Sequence, residues 1–158
     1  MNIAINVSPL QTGHKVRGTG FYLVNLKNAL LKYFPERKFT FFTGKINESV
    51  DLVHYPYFDP FFLSLPLRKN YPLIVTVHDL TPIVFPKHFP IGIKGRLKWY
   101  MQKIALKSAD AVITDSEASK KDIVRYTDIP GIKVHVVYLA AGEEFKKVES
   151  EWENDERL

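Results

Sequence analysis

The chain has 158 residues, 46% of them hydrophobic and 13% aromatic, which fits one globular domain with a sizeable core and excludes a disordered chain. The absence of cysteine excludes a disulfide framework and thiolate sites, and no apolar run approaches the roughly 18 residues of a membrane span. The net charge is +5, but residues 1–142 carry +9, which suits an anionic partner such as a phosphate group, an acidic membrane face or nucleic acid, or serves solubility alone.

The first predicted unit is a strand, a glycine-containing loop and a helix. Residues 2–8 alternate as in a strand, and apolar residues recur at helical spacing from Leu23 to Phe34, before Pro35. Glycines ahead of a helix let backbone N–H groups approach an anion, although a tight turn explains them equally well. The candidate anion-binding residues of this loop are Arg17, Gly18, Thr19 and Gly20.

Two further strands, at residues 39–43 and 51–54, lead into an aromatic loop at residues 55–62. Aromatic rings can stack on a sugar, and a tyrosine hydroxyl can also hydrogen-bond a ligand. Tyr55 and Tyr57 are therefore the candidate ligand contacts. The three phenylalanines of the loop, Phe58, Phe61 and Phe62, are expected to pack beneath it.

A fourth strand, at residues 73–77, ends in His78 and Asp79. Its β-branched, continuously apolar run is typical of a strand buried on both faces of a parallel sheet. Ligands bind at the carboxyl ends of such strands, so His78 is a candidate general base or hydrogen-bond partner. Asp79 is a candidate to orient the imidazole or bind a ligand hydroxyl, and it could equally cap the next turn.

A second helix is predicted over residues 96–108. Its apolar face is expected to comprise Leu97, Tyr100, Met101, Ile104 and Ala105. Arg96, Lys98, Lys103 and Lys107 supply the opposite, basic face. Such a face is either solvated or lies on an anionic membrane.

The remaining elements are a fifth strand at residues 109–114, a third helix from 115 to 126 and a sixth strand at 133–138. Ser116 and Glu117 lie at the junction between the fifth strand and this helix. They are candidate ligand contacts, and a serine there is also a normal helix N-cap. Residues 143–158 are charged and form a predicted linker or tail, of which 147–157 is compatible with a helix.

Alternating strands and helices predict an α/β fold, with a Rossmann-like parallel sheet and helices on both faces. The four candidate loops would then meet at one edge of that sheet. The histidines are scattered, so no metal set is predicted, and no nucleic-acid-binding motif is present. The N-terminus lacks the pattern of a signal peptide, which predicts a cytoplasmic protein.

Three ordered stretches of the sequence resemble the N-terminal domain of group 1, or family 4, GT-B glycosyltransferases. The first is Arg17-Gly18-Thr19-Gly20-Phe21-Tyr22 leading into Asn25-Leu26 and Ala29-Leu30. The second is Val77-His78-Asp79-Leu80 with Pro82, Phe85 and Pro86. The third runs from Ala109 to Ile123 and is followed by Ile129-Pro130, Lys133-Val134 and Ala141-Gly142 with Phe145.

The resemblance implies a retaining enzyme that uses a nucleotide sugar and generally needs no metal. It implies a domain, here residues 1–142, that binds a sugar or lipid-linked acceptor, and Tyr55, Tyr57, Ser116 and Glu117 are our candidate contacts for that acceptor. The loop at residues 17–20 would face the donor diphosphate, and His78 would lie near the transferred sugar. The loop reads Arg-Gly-Thr-Gly where many members have consecutive glycines.

The same resemblance implies a second domain that carries the nucleotide site, in this or another chain. We expect the 158-residue chain to be the acceptor half and to transfer little sugar alone. The alternative hypothesis is a non-catalytic module for a phosphorylated ligand or an anionic membrane, with contact at the inner membrane face. A nucleic-acid-binding domain ranks lowest.

Overall fold

The computed structural model describes residues 1–142, which form one sheet of six parallel strands. The strands are β1 (Asn2–Asn6), β2 (Lys38–Phe42), β3 (Leu52–Tyr55), β4 (Leu73–Thr76), β5 (Ala111–Thr114) and β6 (Val134–Val136). Their order across the sheet is β2-β1-β3-β4-β5-β6. All six predicted strands are therefore present, and the α/β, Rossmann-like fold is confirmed.

Three long helices and one short helix connect the strands. They are α1 (Gly18–Tyr33), α2 (Thr81–Val84), α3 (Ile93–Lys107) and α4 (Glu117–Thr127). The helix α1 begins five residues before Leu23, because the predicted loop already forms its first turn. The backbone N–H groups of Gly20 and Phe21 both donate to the carbonyl of Arg17. The helix α2 and the 3₁₀ turns at Ser8–Gln11, Gly13–Val16 and Gly131–Lys133 were not predicted.

Helices cover both faces of the sheet. On one face, Val75, Val112 and Val134 of three neighbouring strands form a core with residues of α3 and α4. The helix α1 packs on the opposite face, where the side chain of its Leu23 is fully buried. There the hydroxyl of Thr76, next to Val75 in β4, bonds the Tyr22 hydroxyl of α1.

The helix α3 is present, but most of its predicted apolar face is exposed and does not pack on the core. Leu97, Tyr100 and Ile104 are 60%, 63% and 49% exposed. The buried side of α3 is formed by Gln102, Ala105 and Leu106, of which only Ala105 belongs to the predicted face. The Gln102 side-chain oxygen accepts hydrogen bonds from the backbone N–H groups of Ser64 and Leu65 and from the Ser64 hydroxyl, at 2.9–3.1 Å. These bonds satisfy its buried carbonyl and let a polar side chain face the core.

The strand order reverses between β1 and β3, because β2 lies beyond β1 and every later strand lies on the other side. In open parallel sheets, ligands bind at such a reversal, outside the carboxyl ends of the strands. The glycine loop follows β1 and the aromatic loop follows β3, so both flank this crevice. The predicted charged tail at residues 143–158, including the helix expected at 147–157, lies outside the described residues. Within residues 1–142, no helix is long and apolar enough to span a bilayer.

Candidate functional site

The centre of the candidate site is the imidazole of His78, just past the end of β4. Its Nδ1 lies 2.7 Å from Oδ2 of Asp115, the first residue after the neighbouring strand β5. Since a carboxylate only accepts, Nδ1 carries the proton and donates it, which fixes the orientation of the ring. The side chains of His78 and Asp115 are 21% and 19% exposed. The other ring nitrogen, Nε2, is buried and has no hydrogen-bond partner among the described residues.

Asp79 does not orient His78, because its side chain bonds the following turn. Its Oδ1 accepts a 2.7 Å hydrogen bond from the backbone N–H of Thr81, at the start of α2, and its side chain is exposed. Asp79 therefore shapes the turn that follows β4. The structure places Asp115, rather than Asp79, against the imidazole, and a contact between Asp79 and a ligand stays a prediction.

A hydrogen-bonded layer lies beneath His78. The Thr76 hydroxyl is 2.8 Å from Nε2 of His54 and also bonds the hydroxyl of Tyr22. The ring of Tyr22 meets that of His78 edge to face, with centroids 4.8 Å apart at 87°. Tyr22 of α1 thus connects the imidazole at the edge of the sheet with a second imidazole inside it.

Burial controls the charge of this layer. The pKa of His54 falls from 6.5 to about 4, mainly because burial penalises the imidazolium and further because His78 lies nearby. The pKa of the Tyr22 phenol is raised, above all by burial and also by the negative charge of Asp115, against the lowering effect of the bond to Thr76. Near neutral pH both groups are therefore uncharged beneath the site.

The glycine loop begins α1 and lies beside this cluster, because Tyr22 is only two residues beyond Gly20. A Cβ atom on Gly20 would lie closer than 3.0 Å to the carbonyl oxygens of His14 and Lys15. Gly20 is thus required by the close approach of two backbone segments. Gly18 has open space around it, and Arg17 and Gly18 are exposed at the N-terminus of the helix. Thr19 is partly exposed there.

Tyr57 joins the aromatic loop to the glycine loop. Its hydroxyl donates to Oδ2 of Asp59 at 3.0 Å and lies 3.3 Å from Nε2 of His14, whose ring centroid is 4.7 Å from its own. Burial, followed by the negative charge of Asp59, raises the pKa of the Tyr57 phenol, although Arg17 opposes the shift. Tyr57 therefore flanks the crevice at the strand reversal.

Tyr55 lies elsewhere, on the other side of the sheet from His54. It packs edge to face on Phe42, with centroids 5.9 Å apart, and lines a separate open cavity of about 420 Å³. The structure does not bring Tyr55 together with His78. In the aromatic loop, Phe58 is buried as expected, whereas Phe62 is 64% exposed and the expectation for it was wrong.

Ser116 and Glu117 follow Asp115 at the edge of the sheet. The Ser116 hydroxyl accepts a 3.0 Å hydrogen bond from the Ser119 N–H and so is the N-cap of α4. Glu117 is exposed in the first turn of the helix. Both residues directly follow Asp115 in the chain, and their contact with a ligand stays a prediction.

Two residues of the site, Asp115 and Tyr22, were given no role from the sequence, although Asp115 belongs to one of the four loops expected to meet at this edge. Asp115 is the first polar residue after a strand that proves to neighbour β4, so strand adjacency is the signal that identifies it. Tyr22 has no comparable signal, because its role depends on how α1 is rotated over the sheet. Within residues 1–142, no three His, Asp or Glu side chains are grouped so as to hold a metal ion.

Comparison with known proteins identifies the family. The sequence profile of Glycosyltransferase Family 4 matches residues 9–141, which include the whole candidate site. A serotype-specific mannosyltransferase, WbdA, of Escherichia coli is 28% identical over 102 residues, covering 63% of this chain and 12% of that protein. Another Escherichia coli WbdA is 30% identical over 94 residues, which cover 58% of this chain and 11% of that protein. The alignments thus span about a tenth of these relatives' length. The chain belongs to glycosyltransferase family 4.

Proposed function

We propose that residues 1–142 form the acceptor-binding half of a retaining glycosyltransferase that moves a sugar from a nucleotide-sugar donor to an acceptor. The observation that carries this proposal is the His78 imidazole, held by Asp115 at the carboxyl edge of the sheet, beside the first turns of α1. A fixed imidazole at such an edge can receive or supply a hydrogen bond to a sugar hydroxyl.

The unpartnered Nε2 of His78 supports a ligand at this position. A buried polar atom without a partner costs about 1–3 kcal/mol, so native proteins rarely leave one without a purpose. With the proton on Nδ1, the lone pair of Nε2 can accept a hydrogen bond from a hydroxyl. In our proposal, the packing over Nε2 opens when substrate binds, and a hydroxyl of the transferred sugar or of the acceptor then reaches this atom.

The N-terminus of α1 is the proposed diphosphate site. The first N–H groups of a helix have no partner within the helix, and the helix dipole favours an anion there. Gly18 leaves open space in front of these groups, and the exposed Arg17 adds a positive charge. The diphosphate would then lie within the crevice that Tyr57 flanks.

The proposal includes a second domain that recognises the nucleotide, in this or another chain. Arg17 and Gly18 are exposed at the start of α1, which leaves this end of the helix accessible to such a domain. The relatives are named mannosyltransferases, so a nucleotide-activated mannose is the first donor to test. The proposed acceptor is a sugar or a lipid-linked sugar, and the proposed reaction needs no metal.

A transfer assay tests this function directly. The chain is assayed with nucleotide-activated mannose and sugar acceptors, alone and joined to a glycosyltransferase C-terminal domain. We expect transfer only in the joined protein, with unchanged rates in the presence of EDTA. Efficient transfer by the chain alone would refute the need for a second domain. Binding of phosphorylated ligands without transfer in any context would favour the non-catalytic module.

A matched glycine pair tests the diphosphate site. Gly18→Ala adds a methyl group to open space and should weaken donor binding while preserving the fold. Gly20→Ala should disturb the packing of the loop, because the new Cβ meets two backbone carbonyls. Equal donor affinity for wild type and Gly18→Ala, measured by calorimetry on the active protein, would argue against the close approach of the diphosphate to Gly18.

A further inference from the structure

The face of the sheet opposite α1 is covered unevenly. The helices α3 and α4 pack over β4, β5 and β6. Over β1 and β3 there is instead a smaller core, on which Ile46 and Tyr71 of the connecting loops pack. The buried members of this smaller core are Ala4, Phe42, Val50 and Val53. Because loops replace a helix here, an open cavity of about 420 Å³ remains, within the range of about 300–1,000 Å³ for small-molecule sites.

Aromatic side chains line this cavity. Tyr55 and Tyr71, both partly buried, contribute to its lining together with the buried Phe42. The Tyr55 ring is held edge to face against Phe42, so its position is fixed by packing. Its hydroxyl has no hydrogen-bond partner in the part of the chain that the structure describes. The cavity therefore offers fixed rings and a free hydroxyl to a ligand that contains a ring.

The charges of the cavity are all positive. Lys45 and Arg68 line it with exposed side chains, and within residues 1–142 neither side chain has an ion pair or a hydrogen bond. The third base, Lys69, is paired with Asp110 at 2.7 Å. No aspartate or glutamate is among the described residues that line the cavity. A cleft lined by charges of one sign attracts the opposite sign, which here favours an anion.

We propose that this cavity binds a phosphate monoester of a small ring compound, such as a hexose phosphate or a nucleoside monophosphate. The planar guanidinium of Arg68 can donate two parallel hydrogen bonds to the phosphate, and the Lys45 ammonium adds a second positive charge. The ring of the ligand then lies against Tyr55 and Tyr71. The Tyr55 hydroxyl can donate to an oxygen of the ligand.

This site is distinct from the one that contains His78. Tyr55 follows His54 in β3, and successive side chains of a strand point to opposite faces of the sheet. His54 belongs to the layer beneath His78, on the side of α1, through its contact with Thr76. The sheet thus separates the cavity from His78, so a ligand in the cavity is not the sugar acceptor of the proposed reaction.

Calorimetry on the 158-residue chain tests the proposed ligand. Mannose phosphate and adenosine monophosphate are titrated separately, and mannose and inorganic phosphate are the controls. We expect at least one of the two esters to bind more tightly than both controls, and the better ester identifies the source of the ligand. Absence of binding by both esters at about 1 mM would overturn the proposal. Equal binding of inorganic phosphate would also overturn it, because the ring would then contribute nothing.

A pair of arginine variants tests the location of the phosphate. Arg68→Gln should weaken binding of the ester roughly 10- to 100-fold, since hydrogen bonds to a charged group are lost. Arg125→Gln, at an exposed residue of α4 outside the cavity, changes the net charge equally and should have little effect. Equal effects of these two variants would contradict the proposal.

A third arginine variant separates this site from the proposed diphosphate site. Arg17→Gln, at the start of α1, should leave binding of the ester in the cavity unchanged. Loss of binding in Arg17→Gln, but not in Arg68→Gln, would assign the ester to α1 and overturn the proposal. None of these measurements depends on sugar transfer, so the proposed function can fail without affecting them.

A tyrosine variant tests the contact with the ring. Tyr71→Leu keeps an apolar side chain on the smaller core but removes the aromatic ring, and it should weaken binding of the ester roughly fivefold. Binding of inorganic phosphate should not change. Circular dichroism should show unchanged folding, and the exposed Arg68 keeps the test decisive if Tyr71→Leu is unstable. A folded Tyr71→Leu protein that binds the ester as tightly as wild type would remove the ring contact from the proposal.

Discussion

Two histidines on neighbouring strands show how environment separates chemical roles. His54 is inside the sheet, bonded to Thr76, and its lowered pKa keeps it neutral. His78 is at the edge, where Asp115 binds one ring nitrogen, and the other has no partner among residues 1–142. Tyr22 touches one ring and reaches the other through Thr76. The inner histidine is thus a structural group, and the edge histidine has the geometry for chemistry.

Removing the edge imidazole is the most severe test of this distinction. In the protein joined to a glycosyltransferase C-terminal domain, for which we propose transfer, His78→Ala should lower the rate of sugar transfer roughly 10³-fold, because the fixed hydrogen-bonding nitrogen is lost. His135→Ala, at an exposed histidine in the outermost strand β6, is the control. The initial rate of sugar transfer is measured for both variants. A His78→Ala enzyme with a rate near that of wild type would remove His78 from the reaction centre.

The inner imidazole should dominate the acid sensitivity of the fold. Because the pKa of His54 is lower in the folded chain than in the unfolded chain, protons bind preferentially to the unfolded chain. Stability present above pH 6.5 is therefore lost as the pH falls toward about 4. This loss amounts to about 3 kcal/mol. Urea unfolding measures it.

His54→Gln keeps a polar side chain near Thr76 but cannot take up the proton. The free energy of unfolding of this variant should change much less than that of wild type between pH 6.5 and 4. His135→Gln should behave like wild type. An identical pH dependence in wild type and His54→Gln would show that other groups cause the acid sensitivity.

Asp115 should act on the reaction through the orientation of the edge imidazole. Asp115→Asn removes the charge but keeps an oxygen able to accept from Nδ1, so we expect about a tenfold lower rate. Asp115→Ala should cost more. The tautomer of His78, observed by ¹⁵N NMR, should become mixed in Asp115→Ala. An unchanged tautomer in that variant would contradict the positioning role.

The smallest effect is expected where the two histidines are connected. Tyr22→Phe keeps the ring against His78 and removes only the hydroxyl that bonds Thr76. The free energy of unfolding should fall by about 1 kcal/mol, the usual contribution of one hydrogen bond. The transfer rate should remain nearly that of wild type. A large loss of transfer would instead mean that the inner layer takes part in the reaction.

Sequence patterns identified the strands because their runs of apolar residues depend on local alternation. They also identified the edge at which the candidate loops meet, since parallel strands share a direction. The partner of His78 was harder to identify, because Asp115 lies 37 residues away and becomes a neighbour only when β4 and β5 pair. The sequence suggested Asp79 as the partner of His78, because it is the next residue in the chain.

The orientation of α3 shows another limit of periodicity. Its stripe of Leu97, Tyr100 and Ile104 fits a buried face by spacing, and only the bonds of Gln102 to Ser64 and Leu65 reveal the opposite rotation. Hydrophobic spacing shows that one face of a helix is apolar, but it does not show what covers that face. A helix with an exposed apolar face and a helix on a core can share the same pattern.

The bond between Tyr57 and His14 has a consequence for the order in which substrates are bound. It ties the segment before α1 to the segment after β3, so a rearrangement of either changes the contacts of the other. Coupling between two binding events is reciprocal in free energy. A donor that reorganises the first segment would therefore alter the affinity for the acceptor, and the acceptor would alter the affinity for the donor by the same factor.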